Sequence, residues 1–188
     1  QALPHPRRPP PPARLEAPAP SEEELTRPVT AAARVPDHKK LTPWRFVVFA
    51  GEARAAFGEK LAEICAQEEA EAPSDVRLET ERQRFLRAPL VVAVVASPAM
   101  PSPVPEIEQT LSAGAACFNL CLAANALGYG TSWITEWYAF SPGVREALGL
   151  GEKEQIAGFV YIGTASEAQP DRDRPDVAAI TTHWIPAT

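Results

Sequence analysis

Cysteine and histidine are scarce in this chain, which has only three of each among 188 residues. No Cys-x-x-Cys pair occurs, and His5, His38 and His183 lie far apart in the sequence. A structural zinc site needs closely spaced cysteine and histidine ligands, and a disulfide framework needs a dense, even set of cysteines. The sequence therefore predicts neither a metal site nor a disulfide scaffold. Cys117 and Cys121 are one helical turn apart, and we expect both to be small buried core residues.

Several common catalytic and nucleotide-binding motifs are also missing. The sequence has no Gly-Lys-Ser/Thr phosphate loop, no Gly-x-Ser-x-Gly elbow and no evident pair of catalytic carboxylates. Residues 128–130 read GYG, but the third glycine of the dinucleotide fingerprint is absent. This segment also follows a predicted helix and precedes a predicted strand, which is the reverse of the Rossmann order. A P-loop enzyme, an α/β-hydrolase and a Rossmann enzyme are thereby excluded.

Positive charge is the minority charge, with 18 Lys and Arg against 24 Asp and Glu and a net charge of −6. Such a chain offers no broad basic face for the phosphates of a nucleic acid. Residues 110–135 carry no charge and are numerous enough to span a bilayer, but Asn119 and Asn125 interrupt them and alanine dominates. We expect a buried central helix in a soluble, cytoplasmic protein. The first residues do not resemble a signal peptide.

Proline is abundant, with 21 residues that concentrate at positions 4–20 and 98–105. The run of prolines at 9–12 favours polyproline II, so we expect an extended N-terminal arm over residues 1–20 and a single domain over residues 21–188. Strand 90–96 is apolar throughout and is predicted to be covered on both faces. The apolar spacing predicts helices at 21–33, 52–69, 79–87 (exposed), 105–127 and 141–149, and strands at 45–50, 90–96, 131–135, 155–163 and 178–185. Helices and strands that do not alternate regularly indicate an α+β fold.

One short loop concentrates positive charge. Residues 36–44 read PDHKKLTPW, so two prolines stiffen a loop that carries one histidine and two lysines. In an acidic chain, a local cationic loop on a rigid mount predicts a site for an anionic ligand. The alternative for Lys39 and Lys40 is a solvated turn, and Trp44 is expected in the core.

An ordered series of segments surrounds this loop. An Arg-Arg pair stands at positions 7 and 8, and the first helix leads into Arg34 just before the loop. Later come GYGTSW at 128–133, SPGVREALG at 141–149 and IAGFVYIG at 156–163. In this order, the segments resemble the flavin-dependent nitroreductase family, and its small bacterial branch most of all. The resemblance covers nearly the whole chain, from about residue 7 onward.

The resemblance implies a nitroreductase-like α+β fold, in which helices flank a central mixed, mainly antiparallel sheet. It further implies an intertwined homodimer whose long helix, here 105–127, lines the subunit interface and whose C-terminal segment reaches across to the partner. The sequence is consistent with this expectation. A helix with almost no polar face after Gln109 must be covered all round, and one small domain offers limited cover.

The same resemblance assigns candidate contacts to flavin mononucleotide (FMN). Arg7 and Arg8 match an N-terminal arginine pair, although Pro9 stands where the family usually has serine. Arg34 and His38 match an Arg-x-Pro-Asp-His loop. A cation such as Arg34 near the pyrimidine edge of the flavin ring would stabilise the anionic reduced form.

Further candidates follow from later segments. Trp133, Ile134 and Thr135 match a tryptophan-centred triplet that passes the flavin; a family member has Arg-Ser at the last two positions, so only a backbone contact would survive the change at Ile134. Arg172 and Arg174 match a C-terminal basic residue on the phosphate, for which the planar guanidinium is suited, and Arg174 is favoured. The alternative for both is an exposed charged turn. Three aromatic residues could cover the ring or select the acceptor, or could belong to the dimer core: Trp137, Tyr138 and Phe140.

These matches predict a homodimeric FMN-dependent oxidoreductase with the flavin at the subunit interface. Hydride would pass from NAD(P)H to the flavin and then to a nitroaromatic or quinone-type acceptor, without a catalytic acid or base from the protein. The alternatives are a flavin carrier or redox sensor without turnover, an oxidative or dehalogenating flavin reaction, and an interaction protein that has lost the flavin.

Overall fold

A five-stranded sheet forms the centre of the protein in the computed structural model, which describes residues 9–167, 170 and 173–186. The strands are β1 (Leu15–Glu16), β2 (Trp44–Ala50), β3 (Leu90–Ala96), β4 (Gly130–Ile134) and β5 (Gln155–Ala165). The helices are α1 (Glu22–Ala32), α2 (Glu52–Glu68), α3 (Asp75–Gln83), α4 (Glu106–Ala126) and α5 (Pro142–Ala147). Short 3-10 turns lie at Pro12–Arg14, His38–Lys40, Arg84–Arg87, Trp137–Ala139 and Ala178–Ile180.

The sheet is organised around β5. One edge of β5 pairs with β3, and β2 lies outside β3. The other edge pairs with β4, and the last residues of β5 pair with β1. All of these pairings are antiparallel, and helices cover the sheet, so the predicted α+β fold is confirmed. Within the described ranges, no helix is long and apolar enough to cross a membrane.

β3 separates two hydrophobic cores. All seven of its residues are buried, which confirms the prediction of cover on both faces. Val91 and Ala93 belong to a core with residues of α2, α5 and the turn at Arg84–Arg87. Val92 and Val94 belong to a second core with residues of α1 and α4. The protein is therefore a sheet between two helical layers, as the alternation of side chains along a strand requires.

Several helix ends follow directly from the sequence. Ser21 and Glu24 form the predicted capping box at the start of α1: the amide of Glu24 donates to Ser21 Oγ at 3.2 Å, and the amide of Ser21 donates to Glu24 Oε2 at 2.9 Å. Gly128, at φ 93°, follows the end of α4 in the left-handed region that glycine tolerates best. Ser141 caps α5 through the amide of Val144 at 3.1 Å.

The predicted exposed helix at 79–87 is corrected by the structure. α3 begins earlier, at Asp75, because Ser74 caps it by accepting from the amide of Arg77 at 3.2 Å. The last residues of the predicted helix form the 3-10 turn at Arg84–Arg87 instead of an α-helix. Glu81 and Phe85 are both fully buried, so this charged segment is not an exposed helix.

Both ends of the described chain differ from their predictions. Leu15 is buried and β1 pairs with the end of β5, so the predicted N-terminal arm joins the sheet before residue 20. The predicted strand at 178–185 is wrong: this segment contains the 3-10 turn at Ala178–Ile180 and no strand, and its residues are exposed. A strand needs a hydrogen-bonded neighbour. The sheet pairings of the described chain supply none to this segment.

The ion pair between Arg45 and Glu154 predicts a loss of stability in acid. The guanidinium donates to both carboxylate oxygens, at 2.7 and 2.8 Å. These hydrogen bonds, together with one from the amide of Gly151, lower the pKa of Glu154 from 4.5 to about 2. Because the folded pKa lies below the unfolded value, the stabilisation is complete above about pH 4.5 and is lost as the pH falls toward 2.

We expect this pair to contribute about 1 kcal/mol, since Arg45 is 38% exposed and solvent screens the interaction. The measurement is the free energy of unfolding in urea at pH 7 and pH 3, for the wild type and for Glu154→Gln. The variant should lose less stability between these pH values than the wild type. Glu63→Gln, which changes an exposed carboxylate, is the matched control. Equal pH dependence in all three proteins would contradict the expectation.

Candidate functional site

The loop between α1 and β2 has a strained backbone. Three of its non-glycine residues lie in the left-handed region, with φ 61° at Lys39, 54° at Lys40 and 50° at Thr42. Such conformations cost on the order of 1–3 kcal/mol each and persist only where the surroundings fix them. Asp37 supplies this constraint, because its carboxylate accepts from the amide of Leu41 at 2.8 Å and from that of Thr42 at 3.0 and 3.1 Å. The loop is therefore a rigid mount for the residues it presents.

A row of polar side chains on α4 holds the same loop from the other side. The row members stand four and seven residues apart and therefore share one helix face. They contact the last turn of α1 and the chain that leads from it into the loop. The contacts are Glu108 Oε2 with His38 Nδ1 at 2.9 Å, Ser112 Oγ donating to the carbonyl of Pro36 at 2.8 Å, and Asn119 Nδ2 donating to the carbonyls of Ala31 at 3.3 Å and Arg34 at 3.5 Å.

The loop presents positive charges that are not neutralised. Arg34, Lys39 and Lys40 are all exposed. In the part of the chain that the structure describes, no carboxylate lies within the 4.0 Å of an ion pair from any of them. Arg45 and Lys60, by contrast, both have carboxylate partners. Unpaired cations on a fixed backbone are suited to an anionic group such as a phosphate.

A pocket of about 380 Å³ lies between this loop and α4. The loop contributes Pro36, His38 and Pro43 to its wall, and α4 contributes residues that include Glu108 and Leu111. A mostly apolar wall with a few polar groups is the usual character of a small-molecule site. Trp44, at the start of β2, is buried in the core as predicted and supports the loop from below.

The end of β4 presents an exposed indole. Trp133 is 41% exposed, and its Nε1 donates to the carbonyl of Ala157 at 3.2 Å. The indole lies directly on Gly158, where an added Cβ would stand 1.9 Å from Nε1, so glycine is required for this close approach. Trp133 pairs with Val160, a residue of the core beneath α4, whereas the side chain of Ile134 packs into the opposite core. Trp133 therefore lies on the same face of the sheet as α4.

The loop and Trp133 lie toward the same end of the sheet. Trp44 pairs with Ala96, and Ala96 pairs with Gln155 at the start of β5. Ile134, the last residue of β4, pairs with Phe159 near that start. The sheet therefore brings the two candidate segments to one end, but with β3 and β5 between them. Three inter-strand spacings correspond to about 14 Å across the sheet within one chain, and the four residues between Gln155 and Phe159 add about 13 Å along the strands.

The structure separates the three aromatic candidates that follow β4. Phe140 is 71% exposed, whereas Trp137 is half-buried and donates from Nε1 to Glu81 at 2.8 Å. Tyr138 is fully buried, and its hydroxyl lies 3.0 Å from that of Tyr161. Burial raises the pKa of Tyr138, so this hydroxyl stays protonated. The prediction of Tyr138 as a substrate residue is corrected, because its side chain has no surface with which to contact an acceptor.

A buried charge network anchors this segment, and it was not predicted from the sequence. Glu81, which is fully buried, accepts from Arg77, Arg84 and the indole of Trp137. The network continues through the carboxylate of Glu136, which accepts from Arg84 at 3.0 Å and from Arg87 at 3.0 and 2.7 Å. Arg87 also donates to the hydroxyls of Tyr138 and Tyr161, both at 3.1 Å. Three consecutive residues after Thr135 are therefore fixed by charged groups.

The remaining candidates lie outside the described residues or at exposed positions. Arg7, Arg8 and Arg172 lie outside the described part of the chain. Arg174 lies in an exposed segment, and Thr135 is exposed just beyond β4. Burial raises the pKa of Cys117 to about 12 and that of Cys121 to about 11, so neither thiol ionises at neutral pH. Cys117 is a buried core residue, as predicted, whereas Cys121 is partly buried and packs against the same core.

Comparison with known proteins identifies the class to which this fold belongs. The sequence pattern of the Nitroreductase family matches residues 15–164 of this chain. Because this match covers most of the chain, the chain belongs to the Nitroreductase family. The predicted fold is thereby confirmed as nitroreductase-like.

Individual relatives agree with this assignment. YdjA of Escherichia coli strain K12, whose name places it among the NAD(P)H nitroreductases, is 37% identical over 172 residues, which cover 91% of this chain and 92% of YdjA. The crystal structure of a nitroreductase-like family protein from Bacillus cereus has a TM-score of 0.77 at 23% identity, covering 91% of this chain and 89% of that one. A mutant of the FMN and NADPH-dependent nitroreductase NfnB from Sphigopyxis sp. strain HMH has a TM-score of 0.69 at 19% identity, covering 91% and 93%. The two structures show the shared fold.

Proposed function

We propose that this chain is an FMN-dependent oxidoreductase that passes hydride from NAD(P)H, via the flavin, to nitroaromatic or quinone-type acceptors. The observation that carries the proposal is the strained loop of a Nitroreductase-family chain, whose cations Arg34, Lys39 and Lys40 have no carboxylate partner among the described residues. The name of YdjA refers to NAD(P)H, and that of NfnB refers to FMN and NADPH. The three free thiols of Cys65, Cys117 and Cys121 suit the reducing cytoplasm, where we place the protein.

The residues of the candidate site fit the chemical parts of FMN. The cofactor carries a phosphate that needs positive partners and a flat ring that needs apolar or backbone walls. Arg34 and His38 supply polar contacts from the loop, and the strand end at Trp133–Thr135 supplies an exposed indole and backbone groups. Arg7, Arg8, Arg172 and Arg174 are the proposed phosphate partners. Bound FMN supplies the redox chemistry, and the protein binds and orients the cofactor and the two substrates in turn.

The proposal includes a homodimer. α4 carries a stripe of exposed apolar side chains, which we call the apolar stripe: Ile107 (63% exposed), Leu111 (65%), Phe118 (51%) and Leu122 (40%). These positions fall on one helix face, and an apolar patch of this kind usually marks a protein–protein interface. A second copy of the chain is the proposed cover, because a two-fold axis lets one patch bind itself. The exposed Trp184 and Ile185 would reach the partner from the C-terminal segment.

A dimer also accounts for the separation of the two candidate segments. Within one chain, the loop and the end of β4 are separated by the two strands β3 and β5, which lie between them. A site assembled across the subunit interface would place the loop of one protomer against the strand end of its partner. The flavin would then contact both chains, which is the arrangement we propose.

The direct test is the colour and the reduction of the purified protein. A yellow protein with a flavin absorption band, which bleaches on anaerobic mixing with NADH or NADPH and recovers on addition of a quinone, would support the proposal. A protein that stays colourless in excess FMN would identify an interaction protein instead. A yellow protein whose colour persists for many minutes with both nicotinamides would identify a carrier or sensor.

Removing one loop cation tests the placement of the site. We expect Arg34→Ala to lose bound flavin, or to lower the reduction potential of the flavin that remains, because a cation beside the ring favours its anionic reduced form. The loss of one charge-assisted contact corresponds to roughly a tenfold weaker affinity for FMN. Lys60→Ala, which removes an exposed cation of α2 far from the loop in sequence, is the control. Equal flavin content and potential in both variants would contradict the placement.

A further inference from the structure

We infer that Glu108 is a positioning residue for His38: it fixes the protonated nitrogen of the imidazole and leaves Nε2 to meet the cofactor. The inference rests on the proposed function for the identity of that cofactor. It assigns a role to a residue that the sequence did not single out, and it does so from the bond between Glu108 Oε2 and His38 Nδ1 at 2.9 Å.

The chemistry of the two groups determines which nitrogen carries the proton. An ionised carboxylate only accepts hydrogen bonds, so Nδ1 of His38 must be the donor. The neutral imidazole is then held as the Nδ1–H tautomer, and Nε2 has a free lone pair. Carboxylates perform this task for histidines that bind metals, where the bond to one nitrogen orients the other toward the ligand.

The surrounding contacts hold the pair in one place. Glu108 lies in the first turn of α4, and Ser112, one turn later, bonds the carbonyl of Pro36 two residues before His38. After His38, the left-handed turn is fixed by the carboxylate of Asp37, which accepts from the amides of Leu41 and Thr42. The chain is therefore held both before and after His38, so the imidazole that bonds to Glu108 has a defined position.

The apolar stripe of α4 gives this arrangement a further property. Glu108 and Ser112 each follow a member of the stripe, Ile107 and Leu111, by one residue along the helix. The row that holds the loop and the row proposed to meet the second subunit are thus neighbouring faces of one rigid helix. The same rigid helix would then hold His38 and contact the second subunit. The orientation of His38 would therefore be coupled to the subunit interface without a flexible connection.

The test reads the tautomer directly. Protein labelled with ¹⁵N at histidine is measured at alkaline pH, where imidazoles are neutral, in a long-range ¹H–¹⁵N correlation spectrum, and His38→Asn assigns the signal among the three histidines. We expect the Nδ1–H tautomer in the wild type. In Glu108→Gln the amide can donate or accept, so the dominance of this tautomer should be lost. We also expect the affinity of this variant for FMN to be about tenfold weaker. This is the lower end of the loss observed when a group that orients a ligand-binding histidine is removed.

Glu106→Gln is the matched control, because it removes the same charge from the same turn of α4 at an exposed position. It should keep the wild-type tautomer and affinity. A wild type with the proton on Nε2, or a Glu108→Gln variant with unchanged tautomer and unchanged FMN affinity, would overturn the inference. Wild-type protein that binds no FMN would instead refute the proposed function, and the tautomer spectrum distinguishes the two failures because it needs no flavin.

Discussion

Replacing Glu81 by leucine is expected to lower the free energy of unfolding by about 3 kcal/mol. The carboxylate is fully buried and accepts from Arg77, Arg84 and Trp137. Its removal takes one partner from each of two partly buried guanidinium groups and leaves the indole donor of Trp137 facing an apolar side chain. Breaking a buried pair costs roughly 3–5 kcal/mol, and we place this case at the lower end. The reason is that Arg77 keeps a second partner in Glu69, at 2.9 Å, and Arg84 keeps Glu136.

Urea denaturation at pH 7 measures this change. Glu79→Leu is the matched control, since Glu79 stands two residues earlier on α3 and its side chain is 56% exposed. The control should unfold like the wild type, because exposed ion pairs contribute little. A Glu81→Leu variant as stable as the control would mean that the apolar side chain packs well enough to replace the network. The network would then contribute specificity of structure without net stability.

The network also links stability to the candidate site. Glu136, Trp137 and Tyr138 each bond a charged group of the segment 77–87, and they follow directly on the end of β4. We therefore expect Glu81→Leu to loosen the segment that carries Phe140. Buried ion pairs are weak contributors to stability when compared with apolar packing, and their best-supported use is to specify one geometry.

Local sequence signals were sufficient to predict the elements that are determined by residues close to one another in the sequence. The capping box at Ser21, the glycine after α4 and the uninterrupted apolar run of β3 each fix an element through groups that are close in sequence. The predicted bounds of these elements agree with the structure to within a few residues. Their positions follow from short-range sterics and hydrogen bonding.

Elements that depend on distant partners could not be predicted in the same way. The charged run around Glu81 resembles an exposed helix because its indole partner, Trp137, is 56 residues away. β1 has only two residues, too few for a periodic pattern, and it exists because β5 offers an open edge. The segment 178–185 has the composition of a strand but no strand to pair with in the described chain.

The candidate site was partly visible in the sequence. Charge and proline content identified the loop that carries His38, Lys39 and Lys40. The left-handed backbone was not visible, because lysine and threonine rarely adopt it and the constraint comes from Asp37. The polar row on α4 could have been found from its helical spacing. Two of its members, Ser112 and Asn119, lie within the uncharged segment 110–135, whose many apolar residues obscure the spacing of the row.

Phe118→Glu is expected to convert the protein from a dimer to a monomer and to abolish flavin retention. Phe118 is 51% exposed in the single chain and stands in the middle of the apolar stripe. A two-fold axis places the substitution twice in one interface, so two carboxylates would be buried without partners. Each costs several kcal/mol, and 1.4 kcal/mol corresponds to a factor of ten. The dissociation constant of the dimer should therefore rise by more than about 1,000-fold.

Size-exclusion chromatography with light scattering measures the outcome, with a mass of 20.3 kDa expected for the variant. Val76→Glu is the matched control, because Val76 is 78% exposed on α3 and lies outside the apolar stripe. It should leave a flavin-bound dimer. If the wild type is itself a monomer that retains FMN, the interface site is wrong, since one chain then suffices for the cofactor. If Phe118→Glu remains a dimer, the second copy binds a different face, and the exposed stripe of α4 needs another partner.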